Sequence, residues 1–161
     1  MKRRFAALLL ALSVPLAAAE QAAALFAATL ADVDDRPVAL ARYRSQPLIV
    51  NFWARWCGPC KQEIPELIAF RAAHKGQVEI LGIGIEDRAA PVKDFAKAYE
   101  MDYPVFVAKE QGIPLIKALG NDKAGIPYTL FIDRRGEVVG KKMGVLKKAD
   151  LDAVKAALLA K

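Results

Sequence analysis

Continuous apolar runs alternate along the chain with segments whose apolar residues recur every three or four positions. The runs with the length and β-branched content of buried strands are residues 48–53, 78–85 and 103–107. The segments of helical spacing that follow them are residues 58–74, 89–99 and 111–119. This β-α-β-α-β-α order predicts parallel strands joined by right-handed crossovers.

The two ends of the chain carry antiparallel signals instead. Residues 33–40 predict a short hairpin with a polar turn at residues 34–37. The Ala-rich residues 20–31 are expected to begin as a loose segment. The C-terminal pattern predicts strands at residues 128–133 and 137–142 around an Arg-Arg-Gly turn, then a helix at residues 147–159. The fold class is therefore α/β, with a central mixed sheet flanked by helices.

The first 19 residues have the features of a secretory signal peptide. Lys2, Arg3 and Arg4 precede an apolar run, which ends in small residues at Ala19. The run has about 15 residues, fewer than the ~20 that span a bilayer as a helix. We predict cleavage between Ala19 and Glu20 and export to the periplasm of a bacterial envelope. An uncleaved N-terminal anchor is the alternative.

Cleavage changes the charge balance and leaves one domain. Removal of 19 residues, three of them basic and none acidic, leaves 142 of 161 and lowers the formal net charge from +6 to +3. Residues 20–161 are long enough for one domain with one sizeable core. No basic cluster with interleaved aromatic residues is present, so no nucleic acid partner is expected. We expect a monomer, which contacts a membrane only if the N-terminal segment stays attached.

The candidate chemistry lies where the run at residues 48–53 gives way to a helical pattern. Cys57 and Cys60 stand there and are the only two cysteines of the chain. Two intervening residues place both sulfurs in the first turn of a helix, whose N-terminus favours a thiolate. Gly58 keeps the approach open, and Pro59 fits the first helical turn. We interpret Cys57 as the nucleophile and Cys60 as the resolving thiol.

Other uses of two cysteines fit less well. A structural disulfide that closes so short a loop removes little entropy from the unfolded chain. A zinc site usually needs four ligands, whereas this chain has one cysteine pair and a single histidine, His74. Copper(I) binding by two thiolates remains open.

Two sequence motifs resemble those of a known family. Residues 51–65 read Asn-Phe-Trp-Ala-Arg-Trp-Cys-Gly-Pro-Cys-Lys-Gln-Glu-Ile-Pro, and residues 125–129 read Gly-Ile-Pro-Tyr-Thr. With the extra β-α segment at residues 78–99, they resemble the thioredoxin superfamily, and within it the TlpA/ResA-like exported thiol–disulfide oxidoreductases. The resemblance covers about residues 25–160. It implies a thioredoxin fold with an N-terminal β-hairpin and an extra β-α insertion.

The resemblance also implies a substrate-binding surface. The peptide bond between Ile126 and Pro127 is expected to be cis and to lie beside the cysteines, where the Ile126 backbone can pair with an extended substrate. An ordinary proline at the start of a strand is the alternative. Tyr128 stands where the branch often has threonine, and this departure leaves open whether the larger aromatic side chain narrows or redirects the groove. The substrate-binding residues so implied are Trp56, Gly58, Pro59, Ile126 and Pro127.

Resolution of a mixed disulfide also needs a proton acceptor for Cys60. Thioredoxins carry an aspartate on the strand before the motif, but this chain has Asn51 there. We predict that Glu86, at the carboxyl end of the run at residues 78–85, takes this role, since active sites gather at that edge of a sheet. The alternative is that Glu86 and Asp87 cap the following helix.

The Gly-Pro dipeptide between the cysteines favours a disulfide reductase, as in thioredoxin. Its expected substrates are exported proteins with disulfides, for example in cytochrome c maturation. Electrons would come from a membrane donor, with the Cys57–Cys60 disulfide as the only redox group and neither cofactor nor metal. One alternative is a copper(I)-handling module, although the chain has few of the methionine and histidine residues that such proteins use as ligands. Another is a peroxiredoxin-like thiol peroxidase, although the sequence shows no Pro-and-Thr-rich loop with a peroxidatic cysteine.

Overall fold

A computed structural model describes residues 16–86 and 88–160, with side chains from residue 22 onward. In this part of the chain, seven strands form one mixed sheet in the order β2-β1-β5-β4-β3-β6-β7. The strands are β1 (Thr29–Asp32), β2 (Pro37–Ala39), β3 (Leu48–Trp53), β4 (Glu79–Gly84), β5 (Val105–Val107), β6 (Tyr128–Ile132) and β7 (Val138–Met143). The helices are α1 (Leu16–Ala27), α2 (Gly58–Ala73), α3 (Ala89–Ala98), α4 (Gly112–Ala118) and α5 (Lys148–Leu158), with short 3₁₀ turns at Leu40–Tyr43 and Lys109–Gln111.

The two faces of the sheet carry separate hydrophobic cores. Helices α2, α3 and α5 bury their apolar side chains on one face, and α1 and α4 cover the other. All six residues of β3 are buried, because that strand is central and covered on both sides. Alternation along β3 sends Ile49 and Trp53 to the α2 face and Val50 and Phe52 to the α4 face.

The topology brings the loop that carries the cysteines and its neighbours to one edge of the sheet. Strands β3, β4 and β5 are parallel, so their carboxyl ends meet there. Strand β6 runs antiparallel to β3 and begins at the same edge, with Tyr128 opposite Phe52. The loop into α2, the loop after β4 and the loop before β6 therefore lie side by side, as expected for the ligand edge of an open α/β sheet.

The predicted order of elements is confirmed, including the N-terminal hairpin of β1 and β2 and the β4–α3 insertion. The expectation of a loose segment at residues 20–31 was wrong. Residues 20–27 belong to α1, and Leu25 and Phe26 are buried against the sheet. Alanine has the highest helix propensity, and burial of one apolar face stabilises a short helix that would be marginal alone.

The predicted signal peptide lies outside the described residues, except for residues 16–19 in the first turn of α1. The predicted cleavage point between Ala19 and Glu20 would fall inside this helix. Within the described residues, none of the helices combines the length and apolarity needed to cross a membrane.

Candidate active site

The two cysteines form a disulfide at the start of α2. Cys57 is the N-cap residue and Cys60 lies in the first turn, with 5.3 Å between their Cα atoms. The backbone N–H of Cys60 donates to the Cys57 sulfur over 3.2 Å. Free N–H groups and the helix dipole at this end would stabilise a thiolate on Cys57 in the reduced protein. Both sulfur-bearing residues are buried, whereas Trp56 beside them is 70% exposed.

The loop before β6 places its proline against this turn. The bond between Ile126 and Pro127 is cis, as the family resemblance implied. Extending the β3–β6 register by one residue sets Pro127 opposite Trp53, at the beginning of the motif loop. Ile126 packs against the core cluster that contains both cysteines. Gly144 donates its backbone N–H to the Pro127 carbonyl over 2.9 Å, which fixes the loop from the other side.

The Tyr128 side chain does not face the disulfide, so it does not narrow the groove. Alternation turns its side chain to the opposite face of the sheet, where it is buried beside Phe52. Its hydroxyl donates to the Leu119 carbonyl over 2.7 Å. In the same loop, the Asn121 amide donates to the Gly125 carbonyl over 2.7 Å. Tyr128 therefore anchors the loop before β6 from the α4 face of the sheet.

A buried carboxyl lies beneath the disulfide. Glu63 is three residues after Cys60, on the same face of α2, and is 0% exposed. Its Oε1 accepts a 2.6 Å hydrogen bond from the Asn51 amide, and its Oε2 accepts a 2.9 Å bond from the backbone N–H of Leu146. Burial raises the pKa of Glu63 from 4.5 to about 7, against the lowering effect of these two donors.

Sequence reasoning missed Glu63, although a signal for it was present. Cys60, Glu63, Leu67 and Phe70 follow helical spacing, and all four are buried. A lone acidic residue in such a row can be assigned to a buried position. Arg71, at the distal end of the same helix, forms an ion pair with Glu79.

Glu86 lies at the predicted edge but contacts Arg55. Its Oε1 accepts the backbone N–H of Arg55 over 2.8 Å, and its Oε2 pairs with the Arg55 guanidinium at 3.3 Å. It thereby holds the loop two residues before Cys57. Its role as proton acceptor stays a prediction. Helix α3 has Arg88 as N-cap without a side-chain capping bond, so Glu86 does not cap that helix; Asp87 lies outside the described residues.

An exposed apolar side chain that the sequence did not single out borders the same loop. Met143, at the end of β7, is one of the large apolar side chains exposed in the structure, and it pairs with Tyr128 in register. Its methyl group lies 3.6 Å from the position a Cβ on Gly125 would take, one residue before Ile126. Met143 is therefore an exposed apolar side chain beside the loop that carries Pro127.

No group of three or more His, Cys, Asp or Glu side chains suited to a metal ion occurs among the residues described.

A family model described as Redoxin matches residues 18–158. The chain belongs to this family. The match spans the motif, the insertion, the cis-proline loop and α5.

Within the Redoxin family, the chain is similar to thiol–disulfide oxidoreductase ResA of Bacillus cereus, with 29% identity over 75% of this chain and 68% of that protein. Among solved structures, a thioredoxin-family thiol:disulfide interchange protein from Chlorobium tepidum shares 34% identity with a TM-score of 0.68, covering 81% of this chain and 92% of that one. A secreted disulfide oxidoreductase of Mycobacterium tuberculosis shares the fold: TM-score 0.68, 20% identity, 82% of this chain and 96% of that one.

These relatives and the disulfide at the start of α2 establish the class of reaction. This Redoxin-family chain is a TlpA/ResA-like member of the thioredoxin superfamily and a thiol–disulfide oxidoreductase. The Cys57–Cys60 pair is its redox group.

Proposed function

We propose that the protein is a disulfide reductase for exported proteins, with Cys57 as nucleophile, Cys60 as resolving thiol and Glu63 as proton acceptor. The observation that carries this proposal is the Glu63 carboxyl, buried three residues from Cys60 with a pKa of about 7. A reductase must take a proton from its resolving thiol in every cycle, and a base that titrates near neutrality suits that task.

The first step breaks the substrate disulfide. The Cys57 thiolate attacks one substrate sulfur, a bond forms between them, and the other substrate sulfur leaves as a thiolate that takes a proton from water. The position of Cys57 at the N-terminus of α2 supports this role, since the thiolate is stabilised there.

The second step releases the reduced substrate. The Cys60 thiol gives its proton to the Glu63 carboxylate, and the resulting thiolate attacks the Cys57 sulfur. The Cys57–Cys60 bond forms, the bond to the substrate breaks, and the second substrate sulfur leaves with its electron pair. Two electrons have then passed from the dithiol to the substrate disulfide. Burial of Cys60 disfavours its ionisation without a nearby base.

The surface around the disulfide supports a protein substrate. Trp56, next to Cys57, and Met143, next to Gly125 of the cis-proline loop, are exposed apolar side chains. The Ile126 backbone before Pro127 offers hydrogen-bonding groups to an extended segment, as in strand addition. An unfolded or loop segment that carries a disulfide fits this surface.

The predicted export signal supports a role outside the cytoplasm, as does the description of one structural neighbour as secreted. We place the protein in the bacterial envelope, with a membrane protein as electron donor. Proteins that await cytochrome c maturation are a substrate class with disulfides to reduce. The Gly58-Pro59 dipeptide favours reduction over oxidation.

Trapping tests the assignment of the two cysteines and names the partner. In Cys60→Ala, the mixed disulfide through Cys57 cannot be resolved, so it should accumulate with its substrate in envelope extracts and be identified by mass spectrometry. Cys57→Ala is the matched control and should trap nothing. If Cys57→Ala traps partners while Cys60→Ala does not, the two roles are reversed.

The reduction potential tests the direction. Equilibration with glutathione or thioredoxin should give a value nearer the roughly −270 mV of thioredoxin than the roughly −120 mV of a strong oxidant. A value at the oxidising end would contradict a reductase.

A further inference from the structure

The side-chain nitrogen of Asn51 donates to two buried acceptors on different elements. One is Oε1 of Glu63 at 2.6 Å, and the other is the hydroxyl of Thr129 at 3.0 Å. Asn51 is 1% exposed, and Glu63 and Thr129 are 0% exposed. A primary amide carries two N–H groups, so each acceptor takes one of them. Both N–H groups of the Asn51 amide are therefore paired inside the core.

Thr129 reaches Asn51 because the two residues face each other across the sheet. They are register partners in the antiparallel β3–β6 pair, and the side chains of such partners lie on the same face, with Cβ atoms about 4.5–5.5 Å apart. Glu63 approaches the same amide from α2, which packs on that face. Asn51 therefore joins Thr129 on one side to the helix residue three positions after Cys60 on the other.

The orientation of the Asn51 amide decides whether it stabilises the Glu63 carboxylate. With Nδ2 towards Glu63, the amide donates to a negative oxygen, whereas a turned amide would place its partly negative Oδ1 against that oxygen. The terminal torsion of an asparagine is broad, so the side chain alone does not fix this orientation. A second acceptor at 3.0 Å, the Thr129 hydroxyl, favours the orientation that keeps the nitrogen between the two acceptors.

We propose that Thr129 is a positioning residue for the proton step: its hydroxyl accepts the second N–H of Asn51 and keeps the amide nitrogen turned towards the carboxylate that takes the Cys60 proton. This inference rests on the proposed role of Glu63. Without the hydroxyl, one N–H of Asn51 is buried and unpaired, and this cost favours a different position of the amide. Thr129 therefore acts on Glu63 through Asn51.

The other groups that bear on the Glu63 carboxyl come from three elements. The backbone N–H of Leu146, in the loop before α5, donates to Oε2. Tyr103, before β5, is titratable; burial, and then the Glu63 charge, raise its pKa, so it stays protonated at neutral pH. On α2, Cys60 is in the disulfide and does not titrate in the oxidised protein. Of these groups, Glu63 is the one with a pKa near neutrality, at about 7.

Removal of the Thr129 hydroxyl tests the proposal. In Thr129→Val, which keeps the branched shape, the amide is no longer held and the carboxylate loses its donor, which disfavours the charged form. The pKa of Glu63 should therefore rise by about one unit. The readout is the infrared carbonyl band of protonated Glu63 in the oxidised protein, identified by its loss in Glu63→Gln and titrated with pH. Thr129→Ser keeps a hydroxyl and should restore the parent midpoint.

Tyr128→Phe is the matched control for a loss of stability. It removes a buried hydroxyl at the neighbouring position of β6, but that hydroxyl donates to the Leu119 carbonyl on the opposite face of the sheet. Tyr128→Phe should therefore leave the midpoint of Glu63 unchanged while it destabilises the fold. A midpoint in Thr129→Val equal to those of the parent and of Tyr128→Phe overturns the proposal.

A double-mutant cycle tests whether Thr129 acts through Asn51. In Asn51→Leu, the side-chain donor to Glu63 is already absent, so the addition of Thr129→Val should move the midpoint no further. If the two substitutions shift the midpoint additively, Thr129 acts on Glu63 by another route and the proposal fails.

The rate of resolution links the titration to the reaction. At pH 7, a rise of one unit lowers the carboxylate fraction from about a half to about a tenth, so Thr129→Val should resolve mixed disulfides about fivefold more slowly and recover at higher pH. A parent rate at pH 7 with a shifted midpoint would overturn the link to the proton step.

The infrared band titrates in the resting disulfide form, so it is independent of turnover. If Glu63→Gln resolves mixed disulfides at the parent rate, the proposed catalytic role of Glu63 fails. The hold of Thr129 on Asn51 is judged separately, by the infrared midpoints of the single and double variants.

Discussion

The side-chain amide of Asn51 donates a 2.6 Å hydrogen bond to Oε1 of Glu63, joining the central strand to the helix that carries the disulfide. The same Asn51 nitrogen lies 3.0 Å from the Thr129 hydroxyl on β6. An amide donor in this position stabilises the carboxylate without adding a second charge, so Glu63 can titrate as a single group near neutrality.

Glu63→Gln should slow the resolution of mixed disulfides by about 10²-fold or more, the usual contribution of a general base. The parent rate should rise with pH through about 7, because the carboxylate is the base and its pKa is about 7. The variant should lack that rise. Stopped-flow measurement of substrate release from a preformed mixed disulfide checks both.

Glu86→Gln is the matched control and decides between the two acids. Both oxygens of Glu86 are held by Arg55, so we expect this variant to keep the pH-dependent rise in the resolution rate. If Glu86→Gln abolishes the rise and Glu63→Gln retains it, the sequence-based assignment to Glu86 is the correct one.

Asn51→Asp should add a second, coupled titration. Two carboxyls at hydrogen-bond distance share one proton, and the second ionisation moves well above 7. The resolution rate should then show an additional rise at alkaline pH. In the double variant Asn51→Asp, Glu63→Gln the coupling should disappear. A single rise at about 7 in Asn51→Asp alone would contradict the direct contact between the two side chains.

The stability of the oxidised protein should fall as the pH rises through neutrality. The pKa of Glu63 is about 7 when folded against 4.5 as its ordinary value, so the folded state binds more protons between these values. This contribution is fully present below pH 4.5 and is lost by about pH 8. Relative to Glu63→Gln, the parent should lose about 3 kcal/mol of unfolding free energy over that window. Urea denaturation at several pH values measures the difference. If the unfolding free energy of both proteins changes with pH in the same way, the pKa of Glu63 is not raised in the folded state.

Tyr128→Phe should destabilise the fold without slowing catalysis. The change removes a buried hydrogen bond and leaves the Leu119 carbonyl unpaired, at a cost of about 1–2 kcal/mol. Since Tyr128 faces away from the disulfide, the rate with a peptide disulfide should stay within about twofold of the parent. Denaturation curves and single-turnover kinetics check the two halves. A large loss of rate with an intact fold would return Tyr128 to the substrate groove.

Trp56→Ala should weaken substrate binding. A highly exposed aromatic side chain beside the nucleophile is typical of a binding hot spot, whose removal costs more than 1 kcal/mol. We expect KM for an apolar peptide disulfide to rise on the order of tenfold, with little change for a small disulfide such as oxidised glutathione. Ile113→Ala, another exposed apolar residue, on α4, should change neither.

The fold was readable from the sequence where a pattern has one meaning. The run at β3 ends shortly before Cys57 and a helix follows, so period and turn chemistry agree, and the parallel core follows from the repeated β-α order. The Ala-rich start had no such agreement. Its helix depends on Leu25 and Phe26 packing against a distant part of the sheet, which no local pattern records.

The site was readable only in part, because a side chain's environment is a tertiary property. The cysteines could be identified from their residue type and spacing. Glu63 and Glu86 are both acidic residues on elements that border the motif. Only the packing shows that Glu63 is buried under Cys60 and that Glu86 is paired with Arg55. The direction of the Tyr128 side chain likewise depends on strand register.

The bond between Glu63 Oε2 and the backbone N–H of Leu146 joins residues 83 positions apart. During synthesis, which proceeds from the N-terminus, both cysteines and Glu63 therefore exist long before the segment that holds the carboxyl. A nascent or truncated chain that ends before residue 146 carries the full Cys-Gly-Pro-Cys motif with an incompletely held base. Closure of the loop before α5 therefore completes the hydrogen bonding of Glu63, and in a version split between residues 63 and 146 this bond would form only when the two pieces join.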